Sequence, residues 1–229
     1  DGSAGLTILD VSNPTAATIL HQVSLGSAVN AVAAGGDIAY AGLANGHVAA
    51  VDMATGAVLN QSTLTTAGIN DLSLSGDYLY ALVNDRVFAL LLDQGAMSLT
   101  GLAPSPYVAA GNKRLFVGLS TLYTIHNKGY NTFSLANPGR PVLVAASNSA
   151  QFGWRQIVDN GAGLGVAAVG AALNYDGSHN VSLYDVSNPA VTNQFLATIL
   201  TPGHADAVAL YNGLAYVADH NSGLQVINY

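Results

Sequence analysis

Gly5-Leu-Thr-Ile-Leu-Asp10-Val-Ser-Asn-Pro14 returns towards the other end of the chain as Val181-Ser-Leu-Tyr-Asp185-Val-Ser-Asn-Pro189. A fainter copy is Thr132-Phe-Ser-Leu-Ala-Asn137-Pro138, and Gly223-Leu-Gln-Val-Ile-Asn228 repeats the first half. A short apolar strand followed by an Asx-rich turn, recurring along the chain, marks a repeat architecture, and a repeat decides the fold before any local propensity does. The acidic position recurs as Asp10, Asp52, Asp93 and Asp185, with Ser134 and Asn228 as variants. A carboxylate in that place can accept backbone N–H bonds from the turn that follows, so the recurrence reads as architectural rather than catalytic.

A second phrase punctuates the same repeat: a small turn, then an apolar strand carrying an aromatic. It reads Gly36-Asp37-Ile-Ala-Tyr40, Gly76-Asp77-Tyr-Leu-Tyr80, Asn112-Lys113-Arg-Leu-Phe116 and Asn212-Gly213-Leu-Ala-Tyr216, with Gly161-Ala-Gly-Leu-Gly165-Val166 as a degenerate copy. Asp1 and Asp219 occupy matching places, and five units between them average about 44 residues, a period suited to propeller blades. Each unit divides into four short strands, A to D, with Val, Ile, Thr and Tyr on period two and Gly, Asn or Asp at the breaks. Residues 30–34 and 206–210 are typical of strand A, 38–42 of B, 47–52 of C, and 58–64 and 195–200 of D. No stretch carries an amphipathic helical period with caps.

The expected fold is therefore all-β: a β-propeller of four-stranded antiparallel blades. A sandwich does not predict the period, and a β-helix needs shorter coils. The expected domain covers 1–229, with blades at about 30–65, 70–103, 106–147 and 155–200, and a fifth at 206–229 completed by 1–25. Five blades are the first reading, although the strands total one more than five blades need. The alternative is part of a larger six- to eight-bladed propeller. The third unit departs from the pattern: with strand B at 115–119 and strand C at 131–134, residues 120–130 become an insertion. A milder insertion spans 174–180. Insertions on a repeat scaffold map to loops on one face, often the binding face.

Gly-Leu-x-Ile-x-Asp-Val-Ser-Asn-Pro followed by Gly-Asp-x-Ala-Tyr resembles the LVIVD repeat of bacterial and archaeal surface or secreted proteins. The resemblance runs along the whole chain and is clearest in the outer units. It implies a β-propeller and no particular reaction.

The composition excludes several classes of function. Among 229 residues, Cys and Glu are absent, and Asp outnumbers Lys plus Arg 13 to 6, giving a formal net charge of −7. Without Cys there is no disulfide, thiolate catalysis or Cys-ligated metal. The negative charge argues against nucleic acid, which needs a basic stripe. No apolar run approaches the length of a membrane span, so no membrane insertion is expected. The start at Asp1 shows no signal peptide, which a mature or excised segment would also lack. Half the residues are apolar and only 8% are charged. That charge-poor balance fits an extracellular or cell-surface location, with the periplasm as the alternative, and a chain that forms part of a larger multidomain protein.

In a meander blade the D-to-A connections and B-to-C hairpins share one face. His47, His126, His179 and His220 fall in or beside B–C loops, and His204 in a D–A connection. Aligned strand A starts place Asn30, Asn70, Pro106, Arg155 and Asp206 at equivalent positions, expected at one channel mouth, with Tyr107 and Trp154 as an aromatic rim. Arg155 and Asp206, on adjacent blades, are placed to pair. One reading of this set is a polar funnel for a small molecule, a glycan or a peptide end. The other is a structural ring of strand caps in which Arg155 neutralises Asp206. No His-x-x-x-His or other zinc spacing occurs. The turns that begin at Asp1, Asp176 and Asp219 offer oxygen ligands of the kind calcium takes, but each lacks a second carboxylate. No cofactor is implied beyond that cation.

Nucleophile-elbow, phosphate-loop and dinucleotide signatures are absent. The leading expectation is a non-catalytic binding module for a protein or glycan partner, using the B–C and D–A loop face. One alternative is a metal-dependent hydrolase, lactonase or lyase, with a cation held by Asn30, Asn70 and Asp206 and with His204 as base. Another is a structural repeat domain of a larger adhesin or surface array.

Overall fold

The computed structural model describes residues 5–107, 113–149, 151–170 and 180–229. Twenty-one strands, β1 to β21 in chain order, lie among these residues, and the only helical segments there are 3-10 turns at Pro14–Ala16 and His220–Ser222. No helix among them is long and apolar enough to cross a membrane. The chain divides into two compact units, one comprising Asp1–Leu102 with Pro138–Arg140, the other Ala103–Asn137 with Pro141–Tyr229.

The first unit contains the pair β1 (Leu6–Asp10) and β2 (Thr18–Val23), then sheet I: β3 (Val29–Gly35), β4 (Ile38–Leu43), β5 (His47–Asp52) and β6 (Val58–Thr63). Sheet II follows with β7 (Asp71–Ser75), β8 (Tyr78–Val83), β9 (Arg86–Asp93) and β10 (Ala96–Pro104). Each sheet is an antiparallel meander in chain order.

The middle strands explain how the sheets stack. β4 alternates Tyr40 on one face with Ala39 and Ala41 on the other, and β5 alternates Val48 and Ala50 with Ala49 and Val51. One set packs against Ile69, Leu72, Leu79 and Leu90 of sheet II and its approach. The other packs against Leu6, Ile8, Val23 and Leu25 around the β1–β2 pair. A strand apolar on both faces must be covered on both, and alanines let the neighbouring sheets approach closely. The first strands of sheets I and II, β3 and β7, are in contact, whereas the fourth strand β6 is largely exposed.

The second unit repeats the plan. Sheet III is β11 (Leu115–Val117), β12 (Thr121–His126), β13 (Gly129–Ser134) and β14 (Val142–Asn148). Sheet IV is β15 (Gln156–Asp159), β16 (Leu164–Val169), β17 (Asn180–Asp185) and β18 (Phe195–Leu200). Three strands, β19 (Ala207–Tyr211), β20 (Leu214–Ala218) and β21 (Leu224–Asn228), form sheet V. First strands again touch, β11 on β15 and β15 on β19. Antiparallel four-stranded sheets with exposed outer strands and adjoining first strands are consistent with propeller blades.

Sheet III corrects the sequence reading. Residues 120–130 are not an insertion: they supply β12 and the hairpin into β13, paired from Thr121↔Ser134 to His126↔Gly129. Residues 115–117 are the first strand, not the second, with Leu115 opposite Thr124 and Val117 opposite Leu122. Continuing that register puts Lys113 opposite His126, so Lys113, not Pro106, stands at the start of strand A. Tyr123, not Phe116, is the aromatic equivalent to Tyr40 and Tyr80. The misreading has a local cause. The turn between β11 and β12 is Leu119-Ser120, with none of the Gly, Asn or Asp that marks the other hairpins, so Asn112-Lys113 took its place. Asn112 and the proposed insertion at 174–179 lie outside the described residues.

The recurring phrase has a structural basis. Gly5 has φ +92°, and a Cβ there would run into the Val23 carbonyl. The register slips at one repeated step, between Ile8 and Leu9, Ala50 and Val51, Thr132 and Phe133, and Leu183 and Tyr184. Each slip leaves one extra residue on the outer strand, namely Leu20, Leu59, Val144 or Leu196. Immediately after each bulge the turn begins. Asp10 Oδ1 accepts the Ser12 N–H at 2.9 Å, Asp52 Oδ1 the Thr55 N–H at 2.8 Å, and Asp185 Oδ1 the Ser187 N–H at 2.9 Å. In sheet III, Ser134 Oγ accepts the Ala136 N–H at 3.2 Å.

These bonds hold the three carboxyls below the ordinary value of 3.8. The chief donor is the backbone N–H of Ser12 for Asp10, the backbone N–H of Thr55 for Asp52 and the Ser187 hydroxyl for Asp185. A carboxyl whose folded pKa is lowered stabilises the fold above its unfolded pKa, and that stabilisation is lost as pH falls through the folded value. A D10N/D52N/D185N variant keeps an Oδ1 acceptor in each turn but cannot titrate. Denaturant unfolding at pH 6 and pH 3 is expected to show a smaller acid loss in the variant than in the wild type.

Candidate functional site

Three starts of first strands share one backbone bond. The N–H of Asn70 donates to Leu82 O at 2.8 Å, that of Arg155 to Ala168 O at 3.0 Å, and that of Asp206 to Ala218 O at 2.8 Å. Asn30 is the bulged residue at the matching place in sheet I, where Val29 pairs with Leu43 and Ala31 with Gly42. Their side chains are engaged. Asn30 Nδ2 donates to Ile69 O at 3.1 Å, and Asn70 Oδ1 accepts the N–H of Asn84, the left-handed residue of the β8–β9 hairpin, at 2.7 Å.

In the second unit Arg155 Nη1 donates to Asp206 Oδ1 at 2.8 Å, and His220 Nδ1 lies 3.1 Å from Asp206 Oδ2. The pairing of Arg155 with Asp206 is as expected from the sequence. His204, on the β18–β19 connection, sits with its ring 5.8 Å from that of His220. Arg155 and Asp206 are about one-third exposed, so solvent screens the pair and its contribution to stability is about 0–1 kcal/mol. The cluster is thus a half-open cation–anion–imidazole group on the connections entering β15 and β19. Next to His220 in sequence, Asp219 is fully buried: Oδ2 accepts the Gly203 N–H at 2.8 Å, while Oδ1 has no partner among the described residues. Asp219 thereby ties the β18–β19 connection to the turn after β20.

His47 stands at the start of β5 and is engaged at both ring nitrogens, with Gln61 Nε2 3.1 Å from Nδ1 and Thr63 Oγ1 3.1 Å from Nε2. It reaches across to β6. Among the described residues, no three His, Cys, Asp or Glu side chains converge to hold a metal ion. His179, Asp176 and the Asp1 turn lie outside the described residues.

Trp154 is not a rim residue. It is 1% exposed, packed with Tyr123, Tyr130, Ile157 and Tyr184, and its Nε1 donates to Ser149 Oγ and Gln151 O, each at 3.1 Å. A polar seam runs behind it: Gln151 Nε2 donates to Ser182 Oγ at 2.9 Å, and Gln151 Oε1 accepts the Tyr184 hydroxyl. The sequence reading missed Gln151, because nothing in its neighbourhood marks a buried amide. Burial of the indole with its N–H satisfied is the favourable arrangement for a large amphipathic ring.

Tyr107 does stand exposed, at 60%, with φ +66°. Its ring lies 5.6 Å from that of His126, the last residue of β12. Together with Asn127, Lys128 and Asn148 the two rings line a cleft of about 240 Å³ within the second unit.

The LVIVD repeat family model matches residues 1–24 and 202–228. These two segments are similar to LVIVD repeats. The first matched segment carries β1, the Asp10 turn and β2, and the second carries β19, β20 and β21. No curated protein matches the chain. Among solved structures, the computationally designed Ika8 protein is 14% identical with a TM-score of 0.60, over 93% of this chain and 74% of that one. A chain from the crystal structure of the Mitotic Checkpoint Complex is 12% identical with a TM-score of 0.55, over 98% of this chain and 85% of that one. At these identities the likeness concerns the fold alone.

Trp154, the chain's single tryptophan, reports directly on its own placement. Its fluorescence is expected to be blue-shifted and poorly quenched by acrylamide, whereas an indole at a solvent-filled rim would be quenched efficiently. A Q151A variant, which removes the Gln151 Oε1 acceptor of the Tyr184 hydroxyl and leaves Ser182 only Thr198, is expected to lose about 1–3 kcal/mol in denaturant unfolding.

Proposed function

We propose that this chain is a single five-bladed β-propeller serving as a non-catalytic binding module of a secreted or cell-surface protein. On this reading a protein or glycan partner meets the face carrying the B–C hairpins and D–A connections. The observation that carries it is where the titratable and aromatic side chains of the loops collect. Arg155, Asp206, His204 and His220 form one group on those connections, and Tyr107, His126 and Lys128 line a cleft at a B–C hairpin. The LVIVD repeats and the charge-poor composition support the exported location. The five-blade count rests on the repeat period.

The enzyme alternative required Asn30, Asn70 and Asp206 to ligate one cation. Asn70 Oδ1 is taken by a backbone N–H, and both oxygens of Asp206 are taken by Arg155 and His220, which weighs against it. The surface-array alternative draws on the outer strands, where Leu59, Leu99, Val142 and Phe195 are exposed. Calcium at the Asp219 turn remains a proposal; calorimetric titration with calcium of the wild type and D219N tests it.

Glycan and peptide arrays probed with the wild type, an R155A/H220A variant and a D77A control at an A–B turn test the binding reading. Ligands lost in R155A/H220A and kept in D77A are the expected result. Ligands that survive R155A/H220A and vanish with D77A would overturn it, and concentration-dependent self-association in sedimentation would favour the array.

A further inference from the structure

The cleft at the β12–β13 hairpin has a chemistry of its own. His126 is 2% exposed and closes its inner side. Its Nδ1 accepts the Lys128 N–H at 3.3 Å, which assigns the ring proton to Nε2. That Nε2–H is buried and has no partner among the described residues, and an unmade bond at a buried donor is costly. Burial lowers the imidazole pKa to about 4, so at neutral pH the ring is an uncharged donor.

Around it the lining is rich in donors. Asn127 and Asn148 bring amides, and Lys128 brings a charge, its Nζ held 5.3 Å over the Phe152 ring with no carboxylate partner among the described residues. Among the described residues, no Asp lines the cleft, in a chain whose net charge is −7. Tyr107 covers the His126 ring from a left-handed backbone conformation that is strained for an aromatic residue, and such strain gathers at binding sites. A space of about 240 Å³ takes a small head group rather than a whole drug-sized ligand.

We infer that this cleft is a carboxylate-binding subsite, in which Lys128 and the His126 Nε2–H receive the acid group of a ligand whose remainder projects past Tyr107. The inference rests on the loop face being a binding face and names the chemistry it would recognise there. Two sources share that chemistry: a sugar acid, and the C-terminus of a peptide.

The test titrates the intact chain with glucuronate, glucose, acetyl-Ala-Ala and its C-terminal amide, following the His126 ring nitrogens by long-range ¹H–¹⁵N NMR and affinity by calorimetry. A saturable shift of Nε2 with glucuronate and none with glucose supports a sugar acid. A shift with acetyl-Ala-Ala and none with its amide supports a peptide end. K128A is expected to weaken the responding ligand about tenfold, with the melting temperature unchanged and binding kept in K128R. Silence of the His126 ring with both acids at millimolar concentrations, or equal shifts with the neutral controls, would overturn the inference. R155A/H220A separates the two readings: array ligands lost in that variant, beside a silent His126, sink the carboxylate subsite alone.

Discussion

The middle strands of sheets I and II, and β16 of sheet IV, are apolar on both faces, and that constraint governs the rest. In sheet I, Tyr40 with Val48 and Ala50 requires one neighbour, and Ala39 and Ala41 with Ala49 and Val51 requires another. A sheet of this kind cannot stand alone in water, because either face exposes a contiguous apolar patch. Stability accordingly comes from stacking, as in other repeat architectures where neighbours bury one another. The small residues set how closely the sheets approach, and Tyr40 fills what the alanines of sheet I leave.

The outer strands carry the opposite problem, an open edge. β2, β6, β14 and β18 each carry one bulge at the same repeated step, placing Leu20, Leu59, Val144 and Leu196 as the unpaired residues. A bulge of this kind bends and twists the outer strand, which makes its free edge a poorer template for a further strand. Immediately beyond it, the Asp or Ser of the repeat accepts the turn's N–H groups. At β1, β5, β13 and β17 bulge and turn therefore work as one device that ends the strand and begins the return.

Polar side chains separate into two kinds by burial. Gln151, Ser182, Tyr184 and Trp154 satisfy one another inside the second unit and fix its packing. Arg155, Asp206 and His220 satisfy one another at the surface, where the pairing costs little to break. The His126 cleft belongs to neither kind: a buried donor there is left unpaired beside a lone ammonium group.

The repeat phrase was enough to place the strands of sheets I, IV and V to within a residue or so, because alternation and Gly-Asp or Asn-Gly turns are local properties of the chain. It also foretold the Asx turns at Asp10, Asp52 and Asp185 and the pairing of Arg155 with Asp206. Sheet III escaped it, since the Leu119-Ser120 turn carries none of the Gly, Asn or Asp of the other hairpins and the register is held by pairing with β13 instead. The roles of Trp154, His47 and Asn70 were equally beyond the sequence. A tryptophan at a strand start reads alike whether it faces a channel or a neighbouring sheet, and only the packing of β15 and β16 against sheet III puts it in the core. Period and turn chemistry are written along the chain, but which side chains lie buried, and which donors are left without an acceptor, depend on residues far apart in sequence.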